Sequence, residues 1–196
     1  MTADAAPDAP LTESAAPVHT RRVDGFGTVT FAPVHPDRDL DVLHGWVSQE
    51  RARFWGMLDA DRDRVHEIYA YLDSLATHHA YLVRHDGRPA ALLQTYEPTA
   101  DPIGDFYPVL PGDLGIHLLL GPPAEGAAPV PGFSAHLVSA MLGFLLADPA
   151  VLRLVAEPDA RNAKAISRLT RSGFVPGPAV RLPEKPAQFV FYHRPG

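Results

Sequence analysis

The chain has 196 residues, 46% of them hydrophobic and 20% charged, with a formal net charge of −6 and no cysteine. That length suits one domain with a real core, and no apolar run approaches the roughly 18 to 20 residues that a membrane span needs. An acidic chain without clustered Lys and Arg argues against a nucleic-acid partner, and the absence of cysteine removes disulfides, thiolate nucleophiles and cysteine-ligated metal centres together.

Met1 to about Pro17 is Ala, Pro, Asp and Thr with few large apolar residues, and it lacks the charged-then-apolar order of a secretory signal. Residues 1–22 are therefore expected to be a disordered leader, and 23–196 a single domain with a cytoplasmic location. Thr28–Pro33 alternates β-branched and aromatic residues and reads as a first strand. Pro36–Trp46 opens with acids and spaces its apolar residues as a short amphipathic helix does. Arg51-Ala-Arg-Phe-Trp-Gly-Met57 sets two aromatics beside two arginines, either a hydrophobic plug under a loop or a substrate wall. From Asp61 to Ala76, Val65, Ile68, Tyr69, Leu72 and Leu75 share one helical face. His66, His78 and His79 show no ligand pattern and read as solvated or capping groups, and no metal site is expected.

The period then changes to two. Ala80–Arg84 and Pro89–Tyr96 flank a His-Asp-Gly-Arg turn and form a hairpin, Asp-Gly supplying the positive φ of a tight turn. The loop from Glu97 to Gly112 is long enough to be functional. Gly115-Ile-His-Leu-Leu-Leu-Gly-Pro-Pro123 is an apolar strand carrying one imidazole and closed by a Gly-Pro-Pro stop. Gly132–Leu146 is apolar on most faces, as a helix buried against a sheet would be. Leu152–Glu157 is the strand to which it returns, a crossover that is normally parallel and right-handed. A helix begins around Asp159 and Asn162 and stops at Gly173, and Phe189–Tyr192 closes the sheet. The result is an α/β fold with a mixed sheet flanked by helices.

That order and four local stretches carry a resemblance. They are Arg53-Phe-Trp-Gly56, Pro111-Gly-Asp-Leu-Gly-Ile-His-Leu-Leu119, Ala156-Glu-Pro-Asp-Ala-Arg-Asn162 and Leu169-Thr-Arg-Ser-Gly-Phe174. Over about residues 28 to 192 the chain resembles the GNAT acyltransferases, and more narrowly the siderophore-biosynthesis branch that acylates N-hydroxylated amines, as in the aerobactin, mycobactin and desferrioxamine pathways. The Gly-Phe ending is general to the family; the His117 and Glu-Pro-Asp-x-x-Asn motifs are more specific.

The resemblance implies a GNAT fold whose fourth and fifth strands are parallel but splay apart, so that acyl-CoA hydrogen-bonds between them as a pseudo-strand. The facing edges would be Ile116–Leu120, with Leu118 and Leu120 as cofactor contacts, and Leu154–Ala156; Asn162 is a further cofactor contact. The CoA pyrophosphate would lie at the start of the helix at Gly132, Phe133 and Ser134, where free N–H groups and the helix dipole favour an anion. Pro129 stands where the family's phosphate loop places a basic or amide side chain. The activity implied is transfer of an acetyl, succinyl or longer group from acyl-CoA, a co-substrate, to a small-molecule hydroxylamine of N-hydroxylysine or N-hydroxycadaverine type.

A hydroxylamine nitrogen is already neutral at pH 7, so orientation is the main task, and a histidine can take the departing proton. His117 is thus the expected base, and Asp159 its orienting or substrate-binding partner, unless Asp159 merely caps a helix. Trp55 and Phe54 would wall the aliphatic chain, and Gln94 and Tyr96 would supply polar contacts, although core packing explains Tyr96 equally well. Two other readings stand beside this one, an amine or aminoglycoside acetyltransferase and a non-catalytic acyl-CoA-binding GNAT domain.

Overall fold

A computed structural model describes residues 16–123 and 130–196 of the chain. Pro129, on which the phosphate-loop departure turns, and residues 1–15 of the expected leader lie outside the described residues. The strands are β1 His19–Val23, β2 Gly27–Pro33, β3 His78–His85, β4 Arg88–Tyr96, β5 Asp113–Leu120, β6 Arg153–Ala156, β7 Val175–Arg181 and β8 Pro186–His193. The helices are α1 Pro36–Val47, α2 Arg62–Asp73, α3 Phe133–Leu145 and α4 Ala163–Arg171. Among the described residues, eight strands form one sheet in the order β1-β2-β3-β4-β5-β6-β8-β7, and only the β5–β6 pair is parallel.

Each face of the sheet buries its own apolar layer. On one, Leu137, Val138 and Met141 of α3 and Leu169 of α4 pack against Phe31, Leu93, Ile116 and Leu154. On the other, Leu43 and Val47 of α1 and Val65 and Tyr69 of α2 cover Leu82, Leu92 and Leu119. The strand alternation of inward and outward side chains requires this division, because Ile116 and Leu119 of one strand must face opposite layers. The β3–β4 turn is the two-residue hairpin the Asp-Gly pair demands, with φ of 47° at Asp86 and 78° at Gly87. Among the described residues no helix is long and apolar enough to cross a membrane.

Two strands exceed the expected set. The boundary expected near residue 22 falls inside β1, which pairs with β2 from His19↔Phe31 to Val23↔Gly27. Its His-Thr-Arg-Arg-Val sequence hides it, since an edge strand with both faces partly wet needs no apolar alternation. β7 reads Val-Pro-Gly-Pro-Ala-Val-Arg, and its prolines are tolerated because it lies at the opposite edge and is irregular between Pro176 and Ala179.

The feature that positions the site is the parting of β5 from β6. Their parallel ladder covers Asp113↔Arg153, Leu114↔Leu154 and Gly115↔Val155. Beyond it β5 runs on to Leu120 in register with β4 alone. The Gly121 N–H donates to the Ala90 carbonyl, so backbone alternation turns the N–H and C=O groups of Ile116, Leu118 and Leu120 away from β4 into the gap. The open edge expected on the other strand is shorter than Leu154–Ala156, because Leu154 and Val155 belong to the ladder and only Ala156 lies past it.

Candidate active site

His117 projects from β5 directly opposite Gln94 of β4, beside the gap. Its Nε2 lies 2.6 Å from Oε1 of Glu157, the residue that follows β6. Glu157 is 4% exposed and fully engaged: Oε2 accepts from the Tyr96 hydroxyl at 2.7 Å, and Oε1 also faces Lys185 Nζ at 3.5 Å. Burial alone would push this carboxyl up. The charges and hydrogen bonds of His117, with Lys185 and Tyr96, override it and hold the group down at about 2. Tyr96 moves the other way, its phenol pushed well up by burial and by the adjacent Glu157 charge, so it stays a donor.

The geometry assigns the two ring nitrogens different tasks. With Glu157 ionised, Nε2 carries the proton of the short bond, and Nδ1 is the nitrogen whose protonation can change. Gln94 stands 3.4 Å from Nδ1, and its amide can offer a carbonyl oxygen to an Nδ1 proton or, rotated, an N–H to the bare nitrogen. The same amide reaches the Tyr69 hydroxyl at 3.4 Å; burial pushes that phenol up as well. The His117 side chain is 38% exposed, so a substrate can approach it.

Gly115 makes this arrangement possible. It is the register partner of Tyr96, and a Cβ added there would come within 2.1 Å of the Tyr96 ring, which lies 5.1 Å from the His117 ring, centroid to centroid. Gly115→Ala should push the phenol off Glu157 and destabilise the fold by about 1–3 kcal/mol, as overpacking does; denaturant unfolding checks it, and an unchanged midpoint would contradict it. Acid stability offers a second check. Glu157 titrates lower folded than unfolded, near 4.5, so its contribution is present above that pH and is lost as pH falls toward 2. The wild type should therefore lose more stability across that window than Glu157→Gln, measured by denaturant melts.

A cavity of about 610 Å³ opens at the gap. His117, Gln94, Phe54, Trp55, Ile68 and Leu72 line it from one face of the sheet, and Asn162, Ala165 and Arg168 from α4. Trp55 stands edge-on to His117, centroids 6.2 Å apart, as a wall should. Leu118 lines the cavity as expected. Asn162 does too, while its Oδ1 also caps α4 by accepting from the Ala165 N–H at 3.1 Å. Gly132 caps α3, and Phe133 and Ser134 open it, outside this cavity but at a 13-residue helix start suited to an anion.

Three residues depart from expectation. Asp159 lines the cavity but does not orient His117: its carboxylate is held by Arg161, at 2.9 Å from Nε, 2.6 Å from Nη2 and 2.8 Å from the backbone N–H. The chain has already turned there, Asn162 N–H bonding to the Asp159 carbonyl, so the carboxylate that meets the imidazole is Glu157, two residues earlier. Neither does Asp159 cap α4, which Asn162 does. Tyr96 is 3% exposed and lies off the cavity; its hydroxyl holds Glu157 instead of a substrate. The Leu120 carbonyl faces the gap but accepts from Arg51 Nη1 at 2.7 Å, so it is not open to a cofactor. Sequence alone assigns no individual role to Glu157, Lys185, Arg51 or Arg168; the signal for Glu157 is a carboxylate ending an apolar strand, where burial demands a partner.

A parallel pair parting beside a histidine and a buried carboxylate defines an acyl-transferring site built to admit an extended ligand between strands. The model of the "Acetyltransferase (GNAT) domain" matches residues 35–182, and the chain belongs to that family. It is 26% identical over 163 residues to an aminoglycoside N(6')-acetyltransferase type 1 of Klebsiella pneumoniae, covering 81% of this chain and 80% of that one. It is 31% identical over 160 residues to an N-hydroxyputrescine acetyltransferase of Acinetobacter baumannii, covering 80% and 72%. Its structure superimposes on aminoglycoside acetyltransferase AAC(6')-Ib in complex with coenzyme A with a TM-score of 0.72, 25% identity and coverage of 85% and 95%. The protein is an acyl-CoA-dependent N-acetyltransferase, and its own residues fit the co-substrate: Ile116 and Leu118 present backbone groups to the gap, and α3 begins at the same end of the sheet, its Phe133 packed on His85 at the end of β3.

Proposed function

We propose that the protein acylates an N-hydroxylated amine to a hydroxamate, the chemistry of siderophore assembly. The observation that carries this reading is the charge state of the cavity. Among the described residues, each carboxylate lining it is already engaged: Glu157 by His117 and Lys185, Asp159 by Arg161, Glu67 by Arg64. Arg51, Arg64, Arg168 and Lys185 line it as well. A polycationic aminoglycoside would meet no uncommitted acid among the described residues there, whereas an acceptor with a neutral nitrogen and an aliphatic stem suits Phe54, Trp55, Ile68 and Leu72.

When bound, the thioester supplies the acyl group. The residues of the chain supply the rest. Trp55 and Phe54 hold the stem and exclude water, and Gln94 fixes the ring plane of His117. As the acceptor nitrogen forms its new bond to the acyl carbon it sheds its N–H proton, which His117 Nδ1 takes; the carbon–sulfur bond breaks, CoA leaves as its thiolate, and the imidazolium returns that proton to the sulfur. Glu157 stabilises the imidazolium so formed through Nε2–H.

The test compares N-hydroxycadaverine with kanamycin, each with acetyl-CoA and succinyl-CoA. The expected result is rapid hydroxamate formation, read as its coloured iron(III) complex, and little acetylation of kanamycin. Efficient kanamycin turnover with no hydroxamate would instead establish the aminoglycoside reading, which the Klebsiella relative suggests.

A further inference from the structure

Arg51 and Arg168 approach the cavity from opposite sides of the sheet, and nothing in the acyl-transfer chemistry uses them. Arg51 lies in the 3-10 turn Glu50–Trp55, and its guanidinium spans two carbonyls, Leu120 O at 2.7 Å and Gly121 O at 2.9 Å. Those contacts fix its position without cancelling its charge. Arg168 of α4 is half-buried, and among the described residues it makes no ion pair or side-chain hydrogen bond. Burial weakens its hold on its proton, and the charges of Arg171 and Arg51 weaken it further. Two cations facing one cavity, Arg51 fixed by its carbonyls and Arg168 without an ion partner among the described residues, with each described carboxylate of the lining committed elsewhere, form a site whose repulsion an anion would relieve.

The place of the pair along β5 narrows the anion. From His117 to Leu120 is three residues, or about 10 Å at the rise of a strand, in the direction of the α3 start. That is beyond the reach of a short acyl chain held at His117 and toward the end of the gap where a phosphate belongs. We propose that Arg51 and Arg168 clasp a phosphate group of CoA, a side-chain grip added to the backbone groups at the start of α3. The inference rests on CoA as co-substrate and is independent of the acceptor.

Arg168→Gln should weaken CoA at least tenfold by isothermal titration, while pantetheine, which has no phosphate, keeps its wild-type Kd; Arg51→Gln should give the same selective loss. Dephospho-CoA identifies the source. An equal loss assigns the diphosphate, and an unchanged affinity assigns the 3′-phosphate. Arg168→Lys should recover most of the affinity, and unliganded Arg168→Gln should melt no lower than wild type, since it loses a half-buried cation with no ion partner among the described residues, which separates the effect from misfolding. A CoA Kd within twofold of wild type would overturn the proposal, as would equal weakening of CoA and pantetheine. Weakening confined to succinyl-CoA, with acetyl-CoA unaffected, would overturn it too and assign the pair to an acyl carboxylate.

Discussion

His117→Ala should lower kcat/KM for the hydroxylamine acceptor by about 10²- to 10⁴-fold, the usual contribution of a positioned general base, while the affinity for CoA changes little. The imidazole is the one group at the gap that combines a changeable proton on Nδ1, a fixed partner on Nε2 and exposure to the cavity. Gln94 can orient but cannot take a proton, and Lys185 is turned to Glu157. Turnover assays with each acceptor, together with CoA titration of the variant, check the prediction. Loss below threefold would remove His117 from the chemistry, and parallel loss of CoA binding would make it a co-substrate contact. A domain that binds acyl-CoA without catalysis would show no transfer before or after the change.

The second large effect concerns Glu157, which acts through His117 and is a positioning residue. Glu157→Gln keeps the shape and a hydrogen bond but removes the buried charge that favours imidazolium. The variant should lose about 10²-fold or more in kcat with KM nearly unchanged. The split between kcat and KM, together with rescue by a shorter carboxylate, is the readout that a merely structural role would not move. Glu157→Asp should restore part of the rate with KM still near wild type. A KM that rises as kcat falls, or an equal loss in Glu157→Asp, would confine Glu157 to packing. Asp159→Asn should do far less, because Arg161 and not His117 holds that carboxylate.

Much of this was legible in the sequence for identifiable reasons. A lone imidazole inside Ile-His-Leu-Leu-Leu announces itself, because a buried polar group needs a partner, and the Gly-Pro-Pro stop after it ends the strand unambiguously. The Asp-Gly hairpin is local chemistry and reads locally. What escaped is set by three-dimensional neighbours. β1 lacks apolar alternation and β7 carries prolines in its interior, both of which an edge strand tolerates, and edge position is a property of the finished sheet. Choosing between Glu157 and Asp159 required knowing where the chain turns after Ala156, which the Asn162 N–H to Asp159 carbonyl bond decides. Tyr96 has an amphipathic side chain at a strand end, and only the approach allowed by Gly115 sends its hydroxyl inward to Glu157. Arg51 reaches Leu120 and Gly121 across 69 and 70 residues of chain, a separation at which sequence pattern carries no signal.

The central claim is that this site acylates a nitrogen that arrives neutral, with His117 taking only the proton shed as the bond forms. An alkylamine, with a pKa near that of lysine at about 10.4, is almost wholly protonated at pH 7, and among the committed carboxylates of the cavity no second base stands ready to discharge it. The direct measurement gives the enzyme cadaverine and N-hydroxycadaverine in equal amounts with limiting acetyl-CoA at pH 7 and weighs the two products by mass spectrometry. The hydroxamate should exceed the amide by at least about 100-fold, the advantage of a neutral nucleophile over one charged at that pH. Equal yields, or an excess of the amide, would contradict the account.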